Sequence, residues 1–222
     1  MPKVKMPKSA PSLDMTPMVD LGFLLVTFFI LTAKFRPNEP LIVDTPKSRS
    51  EIQLPEKVMV ITIDSAGRAY FDLAGKDIRA AMLKGMAERY PAIQPKLTEE
   101  LVQRFSLLGM FGMPIASLEQ YVNGDEKVKA SLDAQTKGIP MDSLNNEMAD
   151  WIQEGYEAFM ADAQAKGVSL EELRKNDKLR LSYAIKADGE TDYGKVEAVV
   201  DIFRDKEIYQ FNMVTSMETG DN

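Results

Sequence analysis

One transmembrane helix near the amino terminus, followed by a small α+β domain that carries a mostly helical insertion, is the fold class this sequence predicts. Three observations predict it. Residues 15–33 form an apolar run with a single formal charge; segments rich in β-branched residues stand at 58–73 and again after 179; and about 100 residues between them have helical periodicity.

The first element is the run MTPMVDLGFLLVTFFILTA, nineteen residues in which Asp20 is the only charge. At 1.5 Å per residue it reaches roughly 28 Å, close to the ~30 Å hydrocarbon core of a bilayer. A secretory signal peptide is the rival reading, because a basic start precedes the run. It is weakened by the acid inside the run and by the lack of a small-x-small cleavage pattern after the run, where the chain continues Lys34-Phe35-Arg36-Pro37. A half-exposed helix of a soluble protein would show a polar face, and LGFLLVTFFIL has none. Basic residues lie on both sides of the run, Lys3, Lys5 and Lys8 against Lys34, Arg36, Lys47 and Arg49, so charge bias leaves the orientation open.

An ionised carboxylate at the centre of a membrane helix costs ~2.5–3.5 kcal/mol even on the lenient insertion scale, so Asp20 is a functional candidate by default. The competing reading is an interfacial acid that snorkels to the headgroups. Helical phase favours function: Thr16, Asp20, Phe23, Thr27, Ile30 and Lys34 follow alternating steps of four and three, the spacing of one packed seam. A polar seam faces protein or a wet cavity rather than lipid. A plain homodimer seam joined through Thr27 fits the same spacing and does not exclude proton handling.

Composition narrows the chemistry. The 222 residues include no Cys and no His. Thiol chemistry, thiolate metal sites and His-dependent hydrolase triads are therefore excluded, and proton chemistry must use a carboxylate, Lys or Tyr. Net charge is −7, and beyond residue 40 the balance of 22 basic to 31 acidic residues argues against a nucleic-acid partner.

Residues 36–57, with Pro37, Pro40, Pro46 and Pro55, read as an extended linker spanning up to about 60–70 Å. Within it Leu41-Ile42-Val43 could add as a strand to an exposed sheet edge; a passive spacer fits as well. VMVITI at 58–63 and AYFDL at 69–73, separated by Asp64-Ser65-Ala66-Gly67, form a hairpin. After the helical stretch come a strand at 179–186, a turn at Asp188-Gly189, a helix at 193–203 with Val196, Val199, Val200 and Phe203 on one face, and a strand at 208–214. Interleaved this way, they predict a small sheet with helices on one face.

The stretch 75–178 contains helices at 77–90, at 99–108 behind the Thr98 cap, at 142–164, and a short one opened by the capping box Ser169-Leu170-Glu171-Glu172. The apolar, methionine-rich block 105–114 reads mainly as core, with an adaptable binding surface as the rival. Glu99, Glu100, Glu171 and Glu172 sit in first helical turns, where the macrodipole favours acids, so they are not taken as metal ligands. Gly109-x-x-Gly112 is too short for a phosphate loop.

The motif Asp14-Met15-Thr16-Pro17-Met18-Val19-Asp20 with the apolar run behind it resembles the ExbD/TolR family of proton-driven motor subunits. Leu41-Ile42-Val43-Asp44-Thr45-Pro46 is similar to the family's extended segment after the helix, with Thr45 where leucine is more usual. Pro55-Glu56-Lys57-Val58, and 179–215 with Ala187-Asp188 and Tyr193, also resemble family blocks. The stretch 75–178 departs from the family, which has one short helix there. The resemblance implies a cytoplasmic segment 1–14, a transmembrane helix 15–35, a periplasmic linker 36–57, and a periplasmic domain made of 58–74 and 179–222 around the insertion 75–178. It implies location in the bacterial inner membrane, with two copies of the helix held inside a pentamer of an ExbB/TolQ-like subunit. Asp20 would then be the proton carrier, Pro17 a family motif residue, and a TonB- or TolA-like protein the periplasmic partner.

The expected function is thus that of a proton-motive-force-driven energy transducer serving TonB-dependent outer-membrane transport, not an enzyme, with no cofactor and with protons as the coupling ion. The alternatives are a TolR-like, gliding or secretion motor subunit, or a membrane-anchored periplasmic scaffold whose insertion docks a partner. The expected site residues are Asp20, the seam residues Thr16 and Thr27, Pro17, and Leu41, Ile42, Val43 and Pro46 for strand addition.

Overall fold

The computed structural model describes residues 16–32, 57–142 and 145–215. The chain divides into two compact units, Met1–Pro37 and Asn38–Asn222. In the first, helix α1 runs over Thr16–Thr32. Pro17 falls in its first turn, where a missing N–H costs nothing. The helix has 17 residues, about 26 Å at 1.5 Å each, against the longer span that the sequence predicts. Among the described residues, no helix is long and apolar enough to cross a membrane.

The second unit is built on a four-stranded sheet of order β2-β1-β3-β4, with β1 at Val58–Ile63, β2 at Ala69–Leu73, β3 at Ser182–Ala187 and β4 at Asn212–Thr215. The β1–β2 hairpin is antiparallel, and β3 runs parallel to both β1 and β4. The hairpin turn is tied by Asp64, whose carboxylate accepts the backbone N–H of Arg68 at 2.8 Å and pairs with its guanidinium at 2.6 Å. Gly67, at φ +74°, supplies the left-handed residue the turn needs.

Both strands of the hairpin stand at the predicted residues. The last two strands are shorter than expected. Leu179 and Arg180 donate their N–H groups to the Asn176 carbonyl, which delays β3 to Ser182. β4 begins at Asn212 rather than 208, because residues 206–208 close helix α8, Tyr193–Asp205, through Ile208 N–H to the Phe203 carbonyl at 2.8 Å.

Between β2 and β3 lie α2 (Lys76–Arg89), α3 (Glu99–Leu107), α4 (Ile115–Asn123), α5 (Glu126–Gln135), α6 (Glu147–Ala165) and α7 (Leu170–Lys175). The expected caps are present: Thr98 Oγ1 accepts from Leu101 N–H, and Ser169 with Glu172 forms the reciprocal capping box. α6 starts at Glu147 rather than 142, where Asn146 accepts the N–H of Ala149. α4 and α5 are two further helices that the sequence pattern does not single out; Pro114 and Asp125 start them.

Register sets what these helices cover. Met59, Ile61 and Ile63 share a sheet face with Leu73, Phe71 and Ala69 on one side and with Tyr183, Ile185 and Ala187 on the other. α6 crosses that face at Gly155, where a Cβ would lie 2.8 Å from Met59 Cε and 3.2 Å from Leu73 Cδ2, so a side chain there would force the layers apart. α8 packs on the same face through Phe203, whose ring meets Tyr183 at 5.7 Å. α6 and α8 thus share one sheet face. The opposite face is also buried at Val60, Thr62, Tyr70 and Ala184.

The core centres on Trp151 of α6, which is 0% exposed and surrounded by the rings of Phe71, Phe105 and Phe111 at 5.0–6.3 Å. Phe111 is also fixed by backbone: it exchanges two hydrogen bonds with Phe71, at 2.8 and 3.0 Å, along the free edge of β2. The block 105–114 is therefore mainly core, as expected, with Phe105, Phe111 and Met113 buried and Leu107 left exposed. Ile139 N–H donates to the Ala69 carbonyl at 2.9 Å, a second tie between the helical stretch and the sheet.

Candidate functional site

α1 has the uniformly apolar surface that its sequence dictates. Its large side chains from Met18 to Leu31 are all more than half exposed, and Asp20 is exposed among them with no ion pair among the described residues. Asp20 and Thr27 are seven residues apart, about two helical turns, and so share a face. Thr27 is half-buried because its hydroxyl turns back onto its own helix, donating to the Phe23 carbonyl at 2.7 Å. This sharpens the seam reading: the hydroxyl proton is already used within the helix, and only acceptor capacity remains for a neighbour.

The other predicted site residues are reached unevenly. Thr16 and Pro17 open the helix, one turn before Asp20. Lys34, Leu41, Ile42, Val43 and Pro46 lie outside the described residues, as does the rest of the linker. What the helix offers chemically is one carboxyl group on an apolar cylinder, with no cation among the described residues to hold its charge. Such a group can take up one proton and release it where water or a partner reaches it.

In the second unit the buried acids are held by structural partners. Glu154 accepts two hydrogen bonds from the Arg89 guanidinium, at 2.7 and 3.1 Å, while Asp150 takes Arg89 at 2.9 Å and the Tyr90 hydroxyl at 2.6 Å. Glu147 accepts the Ile115 N–H at 2.8 Å and so ties the start of α4 to α6. Sequence periodicity places Glu147 and Glu154 on α6 but gives no sign that they point inward; their partners are distant in the chain. Among the described residues no group of acids is arranged to hold a metal ion.

Asp133 is the exception. Its Oδ2 receives the Tyr121 hydroxyl at 3.4 Å, its Oδ1 is buried without a hydrogen-bond partner, and the nearby Arg68 gives its guanidinium to Asp64 and to the Asp133 backbone carbonyl. Burial raises the Asp133 carboxyl above its ordinary 3.8, against the opposing pull of Tyr121 and Arg68. Burial also pushes the neighbouring Tyr70 up to about 12.

A carboxyl whose folded pKa lies above its unfolded one binds its proton more tightly when folded. The fold therefore gains stability as pH falls through the folded value, and the gain is complete below 3.8. Asp133→Asn is accordingly expected to raise the thermal midpoint near neutral pH, and its advantage is expected to vanish in acid. Calorimetry across that range checks it, and a lower midpoint at neutral pH would refute the assignment.

Compared with known proteins, the chain matches one family model, Biopolymer transport protein ExbD/TolR, over residues 6–218. No curated protein and no solved structure matches it. The matched span begins before α1 and ends beyond β4, so it takes in the Asp20 helix, the sheet and the helical stretch 75–178 alike.

Proposed function

The chain belongs to the ExbD/TolR family of biopolymer transport proteins, and on that premise we propose that Asp20 is the proton carrier of an inner-membrane motor. The family's role is energy transduction for biopolymer transport, in company with membrane proteins of the ExbB/TolQ type. In this reading α1 spans the membrane with its amino terminus in the cytoplasm, and residues beyond the linker stand in the periplasm. Two copies of α1 sit inside an ExbB/TolQ-like pentamer, whose walls supply the protected path that one helix cannot build.

The observation that carries the proposal is the lone carboxyl of α1, with no cation beside it among the described residues and large apolar side chains around it. A helix that only anchored the protein would gain by losing that acid. Protonation removes the cost of placing the group against lipid, and ionisation restores it, so a proton cycle alternately favours two placements of the helix. Each elementary charge carried across the membrane is worth ~2.3 kcal/mol per 100 mV, enough to bias such a step. The second unit passes that work to a TonB-like protein; a TolA-like partner or a gliding or secretion motor fits the same chemistry. The protein is a transducer rather than an enzyme, and protons serve as its coupling ion without a cofactor.

The rival reading, a periplasmic scaffold that α1 merely anchors, draws on the helical stretch 75–178. Exchanging α1 for an unrelated single-span anchor distinguishes them. Energy-dependent transport is expected to fall to background while the protein still reaches the membrane. Retained transport would establish the scaffold and end the proton reading.

A further inference from the structure

We infer that the groove between α6, α7 and the turn after α8 docks an extended, acidic segment of a partner protein, apolar side chains on its floor and carboxylates at its rim. The inference rests only on residues of the 38–222 unit, so its failure leaves the proton reading of Asp20 standing, and the reverse.

The groove encloses about 710 Å³. Its floor is the outer side of the core: Ile152, Phe159, Leu173 and Leu181 are all buried. Tyr156 and Tyr183 continue it, and Leu170 and Tyr209 stand over it at 59% and 74% exposure. A fold complete in itself has little reason to hold a leucine and two tyrosines in water around an apolar floor, and contiguous patches of this kind mark interaction sites. Tyrosines suit a peptide occupant, since each offers an apolar ring to side chains and a hydroxyl to backbone amides.

The rim decides the sign of the occupant. Arg174, Arg180 and Lys206 face the groove against one acid, Glu207, in a chain whose net charge is −7. Arg174 and Lys206 form no ion pair among the described residues, and Lys206 is half-buried. Arg180 reaches only Asp177, at 3.5 Å, and that carboxylate is 88% exposed. Lys206 also gains from the carboxy-terminal end of α8, which accounts for one of the three cations; it does not account for all three gathering on one groove.

Backbone geometry fixes where the rim residues stand. The turn that places Lys206, Tyr209 and Gln210 along the groove has Glu207 at φ +59°, the one non-glycine residue in the left-handed region among the described residues. A glycine would hold that conformation without the cost of about 1 kcal/mol. Glu207 is the left-handed residue that closes α8, with the Ile208 N–H on the Phe203 carbonyl at 2.8 Å, and the closing turn sets Lys206 and Tyr209 along the groove.

The test uses the full chain in detergent micelles and a fluorescein-labelled peptide that alternates leucine and aspartate, with its leucine–lysine counterpart, followed by fluorescence anisotropy. The aspartate peptide is expected to bind about tenfold more tightly than the lysine peptide, the effect of a few rim charge pairs. Arg174→Glu, Arg180→Glu and Lys206→Glu combined are expected to abolish that preference. Tyr209→Ser should weaken both peptides, and Lys127→Glu, outside the groove, should leave binding unchanged. All these side chains lie at the surface, and circular dichroism confirms that the variants fold. Equal binding of the two peptides by the parent protein, an aspartate preference that survives the triple reversal, or no binding at all would overturn the inference. So would a triple variant that changes the mass of the assembled protein without altering peptide binding, which would give the groove to a second copy of this chain.

Discussion

Trp151→Ala is expected to destabilise the 38–222 unit by about 3–5 kcal/mol, the range for a large aromatic side chain removed from a closed core. The indole is 0% exposed and stacks on Phe105 at 5.9 Å and 22°, while Phe111 meets it edge-on at 5.0 Å. It therefore joins three stretches of chain that are far apart in sequence: β2 through Phe71, the segment 105–111 through Phe105 and Phe111, and its own helix α6. The gap left by alanine cannot close locally, because Phe71 and Phe111 are held together by backbone hydrogen bonds. Trp151→Phe is expected to cost much less: it keeps a ring in the stack and removes an Nε1–H that is buried without a partner. Denaturant titration followed by circular dichroism checks both, since this is the chain's only tryptophan and its fluorescence disappears with it. An alanine variant within about 1 kcal/mol of the parent would show that the helical stretch and the sheet do not share this core.

How much of this could be read from sequence depended on how local the determining signal was. The hairpin was legible because β-branched alternation, Asp64 and Gly67 all lie within sixteen residues and need no distant partner. Caps were legible for the same reason: Thr98 and Ser169 act on N–H groups three residues away. Boundaries at which two local signals compete were not. β4 was expected four residues too early, because Ile208 and its neighbours are apolar enough for a strand but are taken up by the closing turn of α8. α4 and α5 are short, and Gly109, Gly112 and Pro114 before them read as breaks; Gly112 instead lets the chain pass closely over Tyr70, where a Cβ would meet the ring at 2.3 Å.

The candidate site divides in the same way. Asp20 announced itself, since an acid in an apolar run needs no structure to be noticed. The pairing of Tyr121 with Asp133, and the groove that collects Arg174, Arg180 and Lys206, could not be seen, because each brings together residues from separate elements. Sequence also placed Thr27 on a polar seam with Asp20, but not the bond to Phe23 that occupies its proton.

Asp20→Asn is the second large effect. Asparagine keeps the size and polarity of the side chain and removes only its ability to ionise, so insertion and assembly with the partner subunits should be unchanged. Proton-driven work should stop altogether, because no His or Cys exists anywhere in the chain to take over the proton, and no second acid lies within α1. Asp20→Glu, which keeps the proton on a longer arm, is expected to restore part of the activity. That partial rescue separates a carrier from a residue that merely packs.

The most direct test is energy-dependent transport in cells carrying Asp20→Asn, measured together with copurification of the variant and its neighbouring membrane subunits. The account predicts a complex of unchanged composition and transport at background. Full energy-dependent transport by the asparagine variant would contradict it.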